Sequence, residues 1–420
     1  MNEFGLSRRD FFLALGGGML AWPRRLGALE LEWGRTGGRD QAFWEAVRRE
    51  FLIPPDRIYF NNGTLGPQPR VVVEAVAEHA RGVAATLPPR VSWDELKSSL
   101  SSALGGDPEG YVVSRNTTEA MTVVANGLEL GPGDEVVTTD HEHIGGLSPW
   151  ELVTARRGAR LVVAHLPPPP AGGAELADAV WRQVGSRTRV VSVSHVLFTN
   201  GALLPVQELG RRCRQRGIVF VVDGAHPPGM FPMDLAETGA DFYASSPHKW
   251  LLAPQGTGLL WMAPPWRDRL WPTIASGDWS TVGAQRFNHV GTMDESRLAG
   301  LLAALEFYRT VGPDRIWDRI RELQARLRGG LESIPGLQIR SPSLEQSAGM
   351  VAFRLPGVDS LSLQGHLSRV ARVRTRVIGE YRLGWMRLST HYYNQPDEVD
   401  RVLELIHRVS REGIPAAGGL

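Results

Sequence analysis

The sequence has little cysteine, little lysine and no long apolar run. Its one cysteine, Cys213, excludes an intrachain disulfide, and its place in a helical run predicts a packed small side chain. A formal net charge of +1 gives no strong field toward nucleic acid, so we expect no such partner. No segment is long and apolar enough for a stable membrane span. With 420 residues, 42% of them hydrophobic, the chain is expected to form a large and a small globular domain.

The N-terminus has a charged segment followed by an apolar one. Ser7-Arg8-Arg9-Asp10-Phe11-Phe12 precedes an apolar, glycine-containing run to Trp22, and this order is similar to a twin-arginine export signal. We interpret residues 1–30 as that signal and expect an exported or periplasmic protein. The alternative is a cytoplasmic protein with a frayed tail. Ala21 and Ala28 are the candidate cleavage positions, although neither lies in a clean small-x-small triplet.

Strands and helices alternate through the middle of the chain. The predicted strands are Tyr111–Ser114, Glu135–Thr139, Arg160–His165, Arg189–His195, Ile218–Asp223, Asp241–Ser245 and Thr257–Met262. Apolar strands between amphipathic helices predict an α/β fold with a mainly parallel sheet buried on both faces. After Gly291, long helices and short strands indicate a smaller α+β domain. We place the large domain at 57–290, the small domain at 39–56 and 291–412, and a flexible tail at 413–420.

Lysine occurs at two positions only, Lys97 and Lys249, whereas arginine is abundant. Lys249 follows a predicted strand in Ser245-Ser246-Pro247-His248-Lys249, among small residues that would leave its amine partly desolvated. Desolvation lowers the pKa of a lysine and frees the amine for Schiff-base chemistry. Arginine cannot form a Schiff base, so this retained lysine predicts covalent attachment of an aldehyde cofactor. The alternative is an ordinary surface lysine.

Asp223 ends an apolar predicted strand in Val221-Val222-Asp223-Gly224-Ala225-His226. A buried carboxylate is costly without a cationic partner, and a protonated pyridine nitrogen would supply one. Ligand sites of open α/β sheets lie at the carboxyl ends of the strands, where Asp223 is placed. Together with Lys249 it predicts pyridoxal 5'-phosphate (PLP) as the cofactor, with Asp223 against the ring nitrogen. The alternative for Asp223 is a helix N-cap.

A third strand end carries small polar residues, in Ser114-Arg115-Asn116-Thr117-Thr118-Glu119-Ala120. A helix is predicted to begin here, and its free amides and positive end are suited to a phosphate group. The hydroxyls of Thr117 and Thr118 would add to that site. A plain N-cap at either threonine is the alternative.

These motifs together resemble the class V aminotransferases among the fold-type I PLP enzymes. The residues that carry the likeness are Glu142-His143 with Pro149-Trp150, then Asp223-Gly224-Ala225-His226, then Ser246-Pro247-His248-Lys249. The likeness extends from about Tyr59 to Arg408 and is strongest to the isopenicillin N epimerase-like and cysteine desulfurase-like branch. It implies the three-layer fold of type I, with a mainly parallel central sheet and a smaller α+β domain.

The resemblance also implies roles for single residues around the cofactor. Lys249 would hold PLP and move a proton, and Asp223 would hold the pyridine nitrogen. His143 would stack on the ring, and His226 would lie near its phenolic oxygen. The residues implied to bind the phosphate are Thr117, Thr118, Ser246 and His248.

Two further roles concern a second subunit and the substrate. Thr292 would reach the phosphate of a second subunit, which implies a homodimer with active sites at the interface. Arg387 would clamp the carboxylate of an amino-acid substrate, as a bidentate pair would allow. The alternatives are a structural ion pair for Arg387 and a loop position for His143. We expect His195, at a strand end, to be a core residue or a support for the site.

The sequence departs from the family pattern at two points. The loop at about 371–384 has no cysteine that could accept sulfur, and Cys213 lies elsewhere, so persulfide chemistry of that kind is not expected. Many relatives place an asparagine against the cofactor oxygen, whereas here Phe198 occupies that position and Asn200 is displaced. His226 would then carry more of this contact.

The motifs leave the reaction at Cα open. We expect transamination first, then epimerisation or racemisation, then elimination of a β-substituent by a lyase. A different class of protein would use His141, Glu142, His143, His226 and His248 as a zinc site. A non-catalytic binding protein on the same fold is a third alternative.

Overall fold

The computed structural model describes residues 21–33, 41–86, 91–169, 172–275, 277, 279–288 and 290–415. Its α-helices are α1 (Ala21–Trp33), α2 (Gln41–Arg49), α3 (Arg70–Ala84), α4 (Trp93–Leu104), α5 (Thr117–Gly127), α6 (Ile144–Arg157), α7 (Gly173–Trp181), α8 (Val206–Gln215), α9 (Ser296–Val311), α10 (Pro313–Glu332), α11 (Ser360–Ala371) and α12 (Pro396–Glu412). Its strands are β1 (Ile58–Tyr59), β2 (Tyr111–Ser114), β3 (Glu135–Thr139), β4 (Arg160–Ala164), β5 (Thr188–Ser194), β6 (Val219–Asp223), β7 (Phe242–Ser245), β8 (Gly258–Met262), β9 (Gln338–Ile339), β10 (Met350–Arg354), β11 (Val373–Arg374), β12 (Arg376–Ile378) and β13 (Trp385–Ser389).

A seven-stranded sheet forms the centre of the protein, in the order β2-β8-β7-β6-β5-β3-β4. Strands β4, β3, β5, β6 and β7 each pair in parallel with their neighbours in this order. Strand β8 pairs antiparallel with both β7 and β2. The predicted α/β fold with a mainly parallel sheet is therefore confirmed. All seven predicted strands are present, two with the predicted ends and five with ends shifted by one residue. His195, for example, lies beyond β5, where its ring bonds to the hydroxyl of Tyr243.

Both faces of the central sheet are buried. Along β6, Phe220 and Val222 belong to one apolar cluster, whereas Val221 between them belongs to another. Successive strand residues point to opposite faces, so helices must cover the sheet on both sides. The cluster around Val221 includes apolar residues of α5 and α6, and the other includes residues of α3, α9 and α8. This arrangement is the predicted three-layer architecture.

A four-stranded antiparallel sheet, in the order β12-β13-β10-β9, forms the centre of a separate apolar cluster with α10, α11 and α12. A bridge joins Ser389 of this sheet to Asn61, and β1 and β11 form a separate parallel pair. The smaller α+β part is thus present, as predicted. The exact domain boundaries stay a prediction, and of the predicted tail the structure describes residues 413–415.

Helix α1 packs against the body of the protein. Its buried residues Trp22, Leu26, Leu29 and Trp33 belong to the largest apolar cluster. Arg25 adds a bidentate ion pair with Glu50, at 2.8 and 2.9 Å. Of the predicted export signal, residues 1–20 lie outside the described residues and residues 21–30 belong to this helix. In the described part of the chain, no helix is long and apolar enough to cross a membrane.

Candidate active site

The carboxyl edge of the central sheet gathers most of the predicted site residues. Asp223 ends β6, Lys249 follows β7, and His143 follows β3. At the same edge, the last residue of β2, Ser114, pairs with the first residue of β8, Gly258. Residues far apart in sequence are therefore neighbours because parallel strands end together.

Asp223 is buried at the end of its strand, where its Oδ1 accepts a hydrogen bond from the amide of Ala225 at 3.0 Å. Burial raises the pKa of this carboxyl, and the charge of Lys249 opposes the rise. A Cβ atom on Gly146 would lie 2.4 Å from Asp223 Oδ2. Glycine at 146 therefore lets helix α6 pack closely against the carboxylate. A buried acid at the end of a strand fits a cationic ring nitrogen.

Lys249 lies in the turn between β7 and β8. Burial lowers the pKa of its amine to about 8, and the negative charge of Asp223 limits that fall. The segment 61–66 packs onto this turn, since the amide of Gly66 donates to the carbonyl of His248 at 2.9 Å. A Cβ on Gly66 would lie 2.0 Å from the carbonyl oxygen of Lys249, so only glycine allows this approach. Sequence reasoning missed this contact, although the Asn-Asn-Gly-Thr-Leu-Gly-Pro run at 61–67 was a visible signal.

Residues predicted to bind the phosphate meet at the start of α5. The amide of Thr117 donates to Ser246 Oγ at 3.1 Å, and the two hydroxyls are 2.7 Å apart. Thr118 is exposed in the same turn, while His248 Nδ1 bonds to the carbonyl of Thr257 at 2.9 Å. Hydroxyls and free amides at a helix N-terminus are donors suited to a phosphate.

The N-cap of α5 is neither threonine. Asn116 has an extended backbone conformation, and its side chain accepts from the amide of Glu119 at 2.9 Å. Asparagine is a preferred N-cap because its short side chain reaches the free amides of the first turn. The capping alternative for Thr117 and Thr118 is therefore wrong.

His143 and His226 are neutral imidazoles. His143 caps α6 and accepts from the amide of Gly145 at Nδ1, 3.1 Å away. His226 Nδ1 accepts from the indole of Trp250 at 3.1 Å. Each ring therefore carries its proton on Nε2. Burial lowers the pKa of both residues, with Lys249 contributing further, and the pKa of His143 falls to about 4.

Arg387 lies on β13 and reaches from the small sheet to the large one. It is buried, and its guanidinium donates to the carbonyl of Phe198 at 2.5 Å and to Thr64 Oγ1 at 3.4 Å. Its Nε has no hydrogen-bond partner among the described residues. A Cβ on Gly63 would lie 2.9 Å from this guanidinium, so glycine leaves room for it. A buried cation with neutral partners and one free donor is suited to a carboxylate ligand.

Three predicted residues lie outside this cluster or play supporting parts. Thr292 is exposed in the chain between β8 and α9. His195 bonds to Tyr243, and its amide donates to the carbonyl of Asp223 at 2.9 Å, so it supports the site as expected. Asn200 is displaced as predicted, since its side chain bonds to the amide of Ala202 and the carbonyl of Arg340.

Glu142 is a buried acid whose role the sequence did not reveal. It accepts from Thr139 Oγ1 at 2.6 Å and from the amide and hydroxyl of Ser194 at 3.1 and 2.5 Å. Burial raises its pKa to about 7. Tyr381 donates its hydroxyl to the carbonyl of Glu142, which ties the loop before β13 to the site. In the sequence, the only sign that Glu142 belongs to the site is its position next to His143 in the Glu-His motif.

The histidines named for the zinc alternative have other partners. In the ranges that the structure describes, no group of three or more His, Cys, Asp or Glu side chains is arranged to hold a metal ion. The Nδ1 atoms of His141, His226 and His248 are bonded to Thr199, Trp250 and Thr257. The zinc alternative therefore finds no support.

The fold and the site define a PLP-dependent enzyme of fold type I. A buried acid, a lysine with a lowered pKa and a cluster of hydroxyls at a helix N-terminus fit the ring nitrogen, the aldehyde and the phosphate. The family model "Aminotransferase class-V" matches residues 92–402, and the chain belongs to that family.

Comparison with known proteins gives the same result over most of the chain. The sequence is 35% identical over 396 residues to isopenicillin N epimerase of Streptomyces clavuligerus, covering 88% of this chain and 99% of that protein. It is 27% identical to a probable cysteine desulfurase of Pyrococcus abyssi, covering 87% and 97%. The solved cysteine desulfurase of Thermococcus onnurineus NA1 matches with a TM-score of 0.78 and 26% identity, covering 87% and 98%. A cystine C–S lyase mutant with glycine linked to its PLP cofactor matches equally well, with a TM-score of 0.78, 26% identity and coverage of 86% and 98%.

Proposed function

We propose that the protein inverts the configuration at Cα of an amino-acid substrate. The observation that carries the proposal is the order of strands at the site: Asp223 ends β6, Lys249 follows β7 on one side, and His143 follows β3 on the other. A ring held at Asp223 would thus have an ionisable group on each side. Inversion needs a proton acceptor on one face of Cα and a proton donor on the other.

The chain's own residues divide the work as follows. PLP, when bound, withdraws electrons from the bonds at the substrate Cα. Arg387 holds the α-carboxylate, and Lys249 takes the α-proton as a general base. On the opposite side, His143 passes a proton to Cα from Nε2 and takes one up from solvent in the same exchange, so that its imidazole is neutral before and after. The 35% identity to an epimerase across the whole length of that protein supports this assignment, as does the absence of cysteine from residues 371–384.

Transamination is the second candidate, and one observation favours it. Burial and the nearby charge of Lys249 keep the pKa of His143 at about 4. A neutral imidazole is a weak acid at pH 7, whereas transamination can use Lys249 alone for every proton transfer. This reaction, expected first from the motifs, would release a keto acid and pass the amino group to an acceptor.

His143→Gln separates the two candidates. The holoenzyme is incubated with single L- and D-amino acids in deuterated water, and chirality, α-deuteration and keto acid are measured. Inversion predicts both enantiomers from either one, with deuterium at Cα. The variant should then lose inversion by about a hundredfold or more, yet retain exchange at Cα through Lys249. Stoichiometric keto acid with an amino acceptor, and no second enantiomer, would reject inversion in favour of transamination.

We also propose a homodimer. Trp271, Ile274, Trp279, Val282 and Val290 expose between 39% and 79% of their surface on one stretch of chain, next to the exposed Thr292. Exposed apolar residues grouped in this way are typical of an interface, and a second copy would cover them while bringing Thr292 to its phosphate. Light scattering on the holoenzyme should give twice the chain mass, and Val282→Glu should shift it to monomer with weaker PLP binding. A monomeric wild-type holoenzyme would contradict this.

Export through the twin-arginine route is our proposal for localisation, on the strength of Arg8-Arg9 and the apolar run after them. A chain exported in this way folds and binds its cofactor before it crosses. Because α1 packs on the body of the protein through Trp22 and Leu26, we place the mature N-terminus at or before Ala21. Sequencing the N-terminus of periplasmic protein tests this, and an intact N-terminus found only in the cytosol would contradict it.

A further inference from the structure

Two arginines lie side by side at the substrate end of the site. In the antiparallel pair β12–β13, Arg376 is directly opposite Arg387. Residues in this position share one face of the sheet, with Cβ atoms about 4.5–5.5 Å apart. Like charges placed so close destabilise a sheet, so the pair needs an anion near both.

The charges of both guanidinium groups act on the site. The charges of Arg376 and Arg387 each lower the pKa of Lys249 and of His143. They differ in depth, since Arg387 is 1% exposed and the side chain of Arg376 is 33% exposed. Arg387 therefore lies at the bottom of the site and Arg376 nearer its mouth.

Arg376 has a carboxylate partner that comes from its own loop. Glu380, whose side chain is 30% exposed, forms an ion pair with it. The two residues that follow, Tyr381 and Arg382, have φ angles of 56° and 57°, in the left-handed region that non-glycine residues rarely adopt. Such strain is found where surrounding structure enforces it, often at functional sites. Here the bond from Tyr381 to the carbonyl of Glu142 holds the loop over the site.

We propose that Arg376 binds a second acidic group of the substrate, so that the enzyme takes an amino acid that carries a further carboxylate. Arg387 binds the α-carboxylate, and this part rests on the proposed function. The distal carboxylate binds Arg376 in place of Glu380, which occupies the position until substrate arrives. A partly exposed ion pair is weak, so an incoming carboxylate that is anchored at its other end can replace it.

The test uses ligands that cannot react. Glutarate, adipate and pimelate each have two carboxylates and no amino group, and hexanoate has one carboxylate on a chain of adipate's length. Their dissociation constants are measured by titration calorimetry on the PLP-loaded enzyme. At least one diacid should bind about tenfold or more tightly than hexanoate. Arg376→Gln should remove that advantage and leave hexanoate within about twofold of the wild-type value.

Two further variants complete the test. Glu380→Gln should tighten diacid binding several-fold without affecting hexanoate, because it removes the competing carboxylate. As a control for Arg376→Gln, Arg382→Gln removes a positive charge from an exposed position of the same loop and should change the affinity for neither ligand. An unchanged visible cofactor band in each variant shows that the site is still folded.

The outcomes separate this inference from the function on which it rests. Diacids that bind no more tightly than hexanoate, or an equal loss for both ligands in Arg376→Gln, would overturn the second carboxylate site. An unchanged diacid affinity in Glu380→Gln would overturn the displacement of Glu380. Arg387→Gln should weaken diacids and hexanoate alike; if it affects neither while Arg376→Gln still acts, the assigned α-carboxylate site fails instead. None of these measurements depends on whether the enzyme inverts or transaminates.

Discussion

At the scale of single residues, the chemistry follows from burial. Burial lowers the pKa of Lys249 and raises that of Asp223. The charge of each residue opposes the effect of burial on the other. Their types and strand-end positions could be read from the sequence, because a scarce lysine and a buried acid have few structural uses. The roles of Glu142, Arg376 and Glu380 could not be read, since each depends on which strands and loops meet in space.

Asp223→Asn should lower the pKa of the Lys249 amine below about 8, because the negative charge of Asp223 is what raises it. The pH midpoint for reaction of the apoenzyme with PLP, followed by absorbance, should move down accordingly. Because Asp223 would keep the ring nitrogen protonated, turnover should fall by about a hundredfold or more. The control variant Asp241→Asn changes a partly buried acid that is bonded to Phe220 and Trp266. It should leave the pH midpoint of the PLP reaction unchanged.

Glu142→Gln should change how stability depends on pH. The pKa of Glu142 is raised to about 7 in the folded protein, above its ordinary value of 4.5, so the folded state binds more protons between these values. The wild-type stability contributed by this group therefore falls as pH rises from about 4.5 to 7. In Glu142→Gln, the unfolding midpoint of the apoenzyme should fall less steeply with pH between about 4.5 and 7. The control variant Glu404→Gln, at an exposed position, should keep the wild-type slope. Parallel curves for Glu142→Gln and the wild type would contradict the assignment.

At the scale of secondary-structure elements, the sequence predicts the interior better than the edges. Continuous apolar runs predict the central strands correctly, and β6 shows why: Phe220 and Val222 are buried on one face and Val221 on the other. The sequence predicts a loop where the short strands β11 and β12 lie, because two or three residues carry no periodic signal. Their pairing with β1 and β13 is set by tertiary contacts, and it is this pairing that puts Arg376 beside Arg387.

Helix α1 gives a prediction at this scale. Leu26 is 6% exposed in the largest apolar cluster, although the sequence assigned residues 21–30 to an export signal. Leu26→Ala should cost about 2–4 kcal/mol in the free energy of unfolding, because it leaves a cavity under a packed helix. Leu361→Ala, at a helical leucine that is 64% exposed, should cost less than about 0.5 kcal/mol. Equal, small effects in denaturant titrations would mean that α1 does not contribute to the fold.

At the scale of the whole molecule, the two sheets meet at the active site. Lys249, Asp223 and the phosphate-binding turn come from the central sheet, whereas Arg387 comes from the small one and reaches Phe198 and Thr64 across the junction. The class V resemblance was visible in the sequence because its motifs lie at strand ends that any member of the family needs. The reaction was not visible, because transamination and inversion use the same lysine, acid and phosphate site.

The attachment of PLP to Lys249 is the claim on which the whole account depends. The measurement is borohydride reduction of the PLP-loaded protein, followed by digestion and mass spectrometry of both lysine-containing peptides. Lys97 is an internal control, since its amine is 2.7 Å from Glu109 and its pKa is raised. We expect one stoichiometric adduct at Lys249 and none at Lys97. An adduct at Lys97, or no adduct in protein supplied with cofactor, would contradict it.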